Sequence, residues 1–124
     1  MAETGIPKQI RRFIDAHIDS VGQLEALFLL RSDGQSWRAA QLAERLYVSE
    51  AETAEMLDGL CRSGLVVRSS GTYRYECRTD ELRHMVDDLA QLYARQLIPI
   101  TNLIHAKTRR IRGFADAFRF RKDR

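Results

Sequence analysis

A chain of 124 residues with 20 Lys and Arg against 17 Asp and Glu carries a formal charge of +3, and its sequence pI is about 9.1. The length suits one domain with at most an appended helix, and 44% hydrophobic with 30% charged residues excludes wholesale disorder. Two prolines among many helix formers exclude an all-β sandwich, and the longest apolar run, Ala26 to Leu30, is far short of a membrane span.

Pro7 suits the first turn of a helix, whose N–H groups have no partner. Ile10, Phe13, Ile14, His17 and Ile18 then recur at helical spacing along one apolar face. Ser20 and Gln23 have capping-box spacing, so the chain bends and restarts as a largely buried helix carrying Leu24, Leu27, Phe28 and Leu30 to Arg31. Ser32 to Gln35 is loop by composition. Ser36 or Trp37 precedes a short helix, Arg38 to Leu46, with Leu42, Ala43 and Leu46 inward, and Tyr47-Val48 makes a tight connection.

Ser49 caps the next helix and Glu52 completes a capping box. Ala54, Leu57, Leu60 and Cys61 form its inner face. A helical wheel puts Ala51, Glu52, Glu55, Gly59 and Arg62 outward and Asp58 at the edge. Gly64 ends the helix in a left-handed conformation. Leu65 to Arg68 reads as a strand, Ser69-Ser70-Gly71 as a turn, and Thr72 to Glu76 as the antiparallel return.

This order resembles a winged helix-turn-helix domain in the style of the MarR, PadR and ArsR-type bacterial regulators. The most telling stretch is AAQLAERLYVSEAETAEMLDGLCRSGLVVR, and the match runs from about Val21 to Glu76. The expected fold is mainly α with a small antiparallel β-hairpin: a winged helix-turn-helix with an N-terminal helix and a long C-terminal helix extension. The division expected is 1–20 for the N-terminal helix, 21–78 for the winged domain, 79–107 for a long helix kinked near 99, and 108–124 for a basic amphipathic tail helix.

The long helix opens with Thr79 as cap and carries Leu82, Met85, Val86, Leu89, Leu92, Tyr93, Leu97, Ile100, Leu103 and Ile104. That stripe spans roughly 35 Å of helix, about the width of the winged domain itself. One protomer would struggle to cover it, so a homodimer through Leu82, Val86, Leu89, Tyr93, Leu97, Ile100, Leu103 and Ile104 is expected, with packing on the N-terminal helix as the alternative cover. Pro99 lies inside the stripe and crowds the Arg95 carbonyl, which predicts a kink near Ile98.

The resemblance implies that the third helix enters the major groove and the wing an adjacent one. Those positions here are Ser49 to Met56 and Arg68 to Arg74. By segment the net charge is zero over 1–48, −3 over 49–64, +2 over 65–78, −2 over 79–104 and +6 over 105–124. The third helix, with Ser49, Glu52, Glu55 and Arg62 as its candidate contacts, therefore presents acids where phosphate would lie, a departure from the pattern that weakens its role. The acids also have a plain structural use at the positive end of a helix dipole. DNA contact falls instead to Arg68, Ser69, Ser70 and Arg74 of the wing, with Arg78 nearby, and to Arg109, Arg110 and Arg112 of the tail, where Ile111, Phe114 and Phe118 form an apolar stripe. The tail could equally engage a protein partner or pack on its own dimer; a membrane surface is disfavoured.

Catalytic and metal chemistry have little footing. Asp80, His84 and Asp88 share a helix face, but no Cys or second His joins them, and a solvated face with a local salt bridge is expected. His17 reads as a core residue with a backbone partner, Cys61 as a small core hydrophobe, and Cys77 beside Arg78 as a candidate redox-sensing thiolate. Phosphate-loop, Gly-x-Ser-x-Gly and His-Glu-x-x-His patterns are absent from the sequence. Two cysteines and no charged-then-apolar leader point to the cytoplasm. The function expected is that of a homodimeric winged-helix transcriptional regulator, without enzyme activity, cofactor or metal. The alternative is a winged-helix adaptor that binds protein through its acidic third helix and apolar, basic tail.

Overall fold

Helix α1, Lys8–His17, starts after Pro7 and buries Ile10, Phe13 and Ile14, the stripe that its periodicity predicts. A computed structural model describes residues 5–122, with side chains described through Gly113. Helix α2, Val21–Asp33, follows at once because the Ser20 hydroxyl accepts from the Gln23 N–H and opens a new helix. Its Leu24, Ala26, Leu27 and Leu30 are fully buried, and the core forms around them. Each of the three leucines contributes about 1.5–3 kcal/mol by leaving water.

Helices α3, Ala39–Leu46, and α4, Glu50–Arg62, pack on α2 and lead into strands β1, Val66–Ser69, and β2, Thr72–Tyr75. The hairpin register pairs Val66 with Tyr75, Val67 with Arg74, Arg68 with Tyr73 and Ser69 with Thr72. Trp37 adds a one-residue third strand, exchanging backbone hydrogen bonds of 2.8 and 2.7 Å with Tyr73. This pairing was unreadable in the sequence because a single paired residue leaves no alternation. The expected fold class, mainly α with one small hairpin, is the observed one.

Thr79 caps α5, Asp80–Arg95, through its hydroxyl and the Leu82 N–H. The kink expected near residue 99 takes the form of a break at Gln96, whose backbone lies at φ −127°, ψ 49°. The cause is still Pro99. An unbroken helix would drive its ring into the Arg95 carbonyl, whereas a break at Gln96 puts Pro99 in the first turn of α6, Leu97–Lys122, where no N–H is needed. The backbone stays helical from Leu97 to Lys122, so the stretch read as a separate tail helix continues α6. Side chains of Phe114, Phe118 and the residues beyond lie outside those described.

The break changes how the long stripe is covered. Val86, Leu89, Ile100 and Ile104 are fully buried within their own chain, so the expectation that all eight stripe residues await a second copy is corrected for these four. Bent at Gln96, α5 and α6 pack together and beneath α1 and α2, cover that a straight rod would not obtain. Leu82, Tyr93 and Leu103 are half-buried, while Leu97 and Ile98 are exposed at 49% and 64%.

Lys107 fastens α6 in place. Its ammonium, with a side chain only 9% exposed, donates to the Ile14 carbonyl at 3.1 Å and the Ile18 carbonyl at 2.7 Å, and pairs with Asp19 at 3.1 Å. The adjacent Thr108 hydroxyl donates to the Asp19 carbonyl at 2.9 Å. The Ile14 carbonyl already accepts from the Ile18 N–H at 2.9 Å and uses its second lone pair for Lys107, and a cation suits the negative end of the helix dipole. Half-burial, then the Lys107 charge, holds the His17 imidazole below the usual histidine value. His17 rests on the Phe13 ring at 4.9 Å rather than lying in the core, which corrects its expected placement.

Lys107→Met keeps the stem but takes the donor from the Ile18 carbonyl and leaves the Ile14 carbonyl only the Ile18 N–H, and urea unfolding should show a loss of about 1–3 kcal/mol. Asp19→Asn, at a carboxylate 70% exposed, should change stability by less than about 1 kcal/mol. Equal losses would show that the ion pair, rather than the helix end, holds α6.

Candidate nucleic-acid interface

The surface in question is built from α3, α4 and the β1–β2 wing. The Ser49 hydroxyl accepts from the Glu52 N–H at 3.0 Å, so α4 has its expected cap, while Glu52 itself points to solvent. Glu50, Ala51, Glu52, Glu55 and Arg62 are exposed along the helix. The leading half thus shows three glutamates and no base, as the wheel predicts. Thr53, which the periodicity overlooked, is fully buried and its hydroxyl donates to the Ser49 carbonyl. A threonine can enter a core once its hydroxyl turns back onto its own helix.

Two positions on α4 differ from expectation. Gly59 faces α2 rather than solvent: a Cβ there would lie 2.7 Å from the Gln23 amide nitrogen. That amide is buried and doubly held, donating to the Met56 carbonyl at 3.0 Å and accepting from the Asp19 N–H at 2.7 Å. Asp58 is bound to the wing, accepting from the Tyr73 hydroxyl at 3.2 Å. Asp19, Ser20, Glu55, Asp58 and Arg62 then border a shallow cleft of about 350 Å³ between α2 and α4.

Tyr73 sets the wing against α4. It is buried, pairs with Trp37 and Arg68 by backbone, and carries the Arg68 guanidinium 5.6 Å above its ring. At the tip, Ser70 and Gly71 have φ of 52° and 79°, the signs that a two-residue type I′ turn demands. Arg68, Ser69, Ser70 and Arg74 are all exposed. Arg74, however, is paired with Glu76, leaving Arg68 the more available cation. Arg78 is at the wing base, its guanidinium folded over Gly64, and not at the tip.

Further along, Arg109, Arg110 and Arg112 are exposed on α6, with Arg110 3.5 Å from Asp15. Ile111 beside them is 53% exposed. The Cys77 thiolate expectation is corrected: burial pushes the thiol up, its Sγ lies 3.3 Å from the Tyr75 hydroxyl, and the charges acting on it come from Arg83, Asp87 and Arg31 rather than Arg78. Cys61 is likewise pushed up by burial. Asp80 pairs with Arg83 and Asp87 with Arg31, and no group of three potential metal ligands occurs among the described residues.

Helices α2 to α4 and the hairpin define a winged helix-turn-helix protein. Neither a family model nor a curated protein matches the chain. Solved structures do. A MarR family transcriptional regulator from Streptomyces coelicolor is 24% identical at a TM-score of 0.55, covering 89% of this chain and 84% of that one. A MarR family protein from Bacillus stearothermophilus is 18% identical at 0.53, covering 90% and 83%. RV1404 from Mycobacterium tuberculosis is 21% identical at 0.51, covering 88% and 82%. At these identities the likeness is one of fold, and it covers more of the chain than the winged core alone.

Gly59→Ala should lower stability by about 1 kcal/mol, although alanine normally improves a helix interior by about that amount over glycine. In a Gln23→Ala background the same substitution should become stabilising. A double-mutant cycle by urea unfolding that shows additivity would remove the Gln23 contact as the cause.

Proposed function

We propose that this chain is a winged-helix transcriptional regulator that contacts DNA through its wing and the basic stretch of α6, while α4 adds little. The observation that carries this reading is the fold shared with MarR-family structures over nearly the whole chain. The wing supports it, because Arg68 and the small polar tip are exposed and held rigidly against α4 by Tyr73. Arg109, Arg110 and Arg112 supply a second patch of phosphate-seeking charge. The reading is of a binding protein acting in the cytoplasm, not an enzyme. Among the described residues no helix is long and apolar enough to cross a membrane.

DNA binding should weaken steeply with salt. Arg68→Ala should reduce the slope of log affinity on log salt by about 0.9, one phosphate contact. Arg74→Ala should do less, since Glu76 already engages that guanidinium. No salt-dependent shift of any genomic fragment would end the DNA reading.

The alternative, a protein-binding adaptor, has one observation in its favour: Glu50, Glu52 and Glu55 occupy the helix that would face phosphate. The double reversal Glu52→Lys, Glu55→Lys separates the two. A DNA reader should bind its fragment more tightly after losing that repulsion, whereas an adaptor should lose its protein partner and gain nothing from DNA.

The proposed protein is a homodimer, with Leu97 and Ile98 on the exposed turn of α6 joined by the half-buried Leu82, Tyr93 and Leu103. Light scattering at micromolar concentration should give twice the 14.3 kDa chain mass, and Leu97→Glu with Ile98→Glu should halve it. A monomeric mass for the unaltered protein sinks the dimer.

A further inference from the structure

Tyr47 occupies the turn between α3 and α4 and is 93% exposed, the most exposed large hydrophobic residue among those described. Its backbone lies at φ 59°, ψ 40°, the left-handed region that glycine enters freely and a residue with a Cβ resists. The turn requires this conformation: the Tyr47 N–H donates to the Ala43 carbonyl to close α3, and the Val48 N–H donates to the same oxygen at 3.2 Å. Nothing in the turn requires a tyrosine. The ring packs against no part of the hydrophobic core. Ser70, the other non-glycine residue at positive φ among those described, is small and polar by contrast. An aromatic side chain held in a strained conformation and unused by its own fold points to a contact outside the chain.

We infer that Tyr47 is a DNA-contacting residue, its ring against the sugar edge and its hydroxyl donating to a phosphate oxygen beside the groove that α4 faces. This rests on the DNA reading above. Charge favours approach from the α3 side: Arg38, at the N-cap of α3, and Arg45 within it are exposed against Glu44, whereas α4 opens with Glu50, Glu52 and Glu55. Close to those glutamates a neutral side chain with an apolar face and one donor suits a sugar–phosphate strand, and hydroxyl donors to phosphate fix the register of a protein on the duplex.

The test uses the full chain and a genomic DNA fragment that the unaltered protein selects. Tyr47→Gly should raise Tm by about 3 °C, because glycine relieves the backbone and no packing is lost. Its Kd for the fragment should rise by about fivefold, one hydrogen-bonded contact. The salt slope should stay the same, since an uncharged contact displaces no counterion. A Tyr47→Gly protein that binds as tightly as the unaltered one overturns this assignment and leaves the DNA reading standing. An unaltered protein that selects no fragment overturns the DNA reading, and this inference with it.

Discussion

Lys107 has three N–H donors, and the end of α1 offers three acceptors within 3.1 Å: two backbone carbonyls and the Asp19 carboxylate. A buried ammonium is tolerated only when so satisfied, and helix-end carbonyls are among the few groups that welcome a cation. This one capture ties together chain positions 93 and 89 residues apart, joining α6 to the end of α1. It sets where α6 crosses α1 and therefore where Arg109, Arg110 and Arg112 leave the body of the protein. The basic stretch is a directed feature because its root is fixed.

Pro99 is the complementary constraint. By forcing the break at Gln96 it turns one long apolar stripe into two shorter faces that meet over α1 and α2. Val86, Leu89, Ile100 and Ile104 become core, and only the turn around Leu97 and Ile98 stays apolar and exposed. A rod-like helix of the same composition would have left its whole stripe to a partner. The proposed interface between copies is accordingly smaller than the periodicity suggests, and it centres on the break.

The helix-turn-helix surface is organised around charges that oppose one another. Glutamates at the start of α4 stabilise that helix through its dipole and disfavour phosphate beside it. Further along α4, Tyr73 donates to Asp58 and at the same time carries Arg68 above its ring. One buried tyrosine therefore ties an α4 carboxylate to the wing and presents the wing cation. Glu76 acts in the opposite sense on Arg74. The wing is thereby left with one well-presented arginine, and the burden of attraction shifts toward α6.

Most of the fold was legible because its signals are local. Ser20, Ser49 and Thr79 cap helices within three residues of themselves, Gly64 and Gly71 mark reversals, and apolar spacing shows which face turns inward. The candidate interface was legible as a set of residues but not as an arrangement. Burial of Thr53, the Gln23 amide under Gly59, the Tyr73–Asp58 bond and the pairing of Arg74 all depend on neighbours distant in the chain or across a strand. Cys77 shows the limit most clearly: adjacency to Arg78 in sequence suggested a thiolate, but burial among other groups governs its proton. The sequence by itself determined the helices, the hairpin, the acidic α4 and the basic end of the chain, since capping, periodicity and charge act over one or two turns. Only the tertiary structure decided which apolar residues are already covered and which arginines remain unpaired by acids, because burial and pairing are properties of segments brought together from far apart.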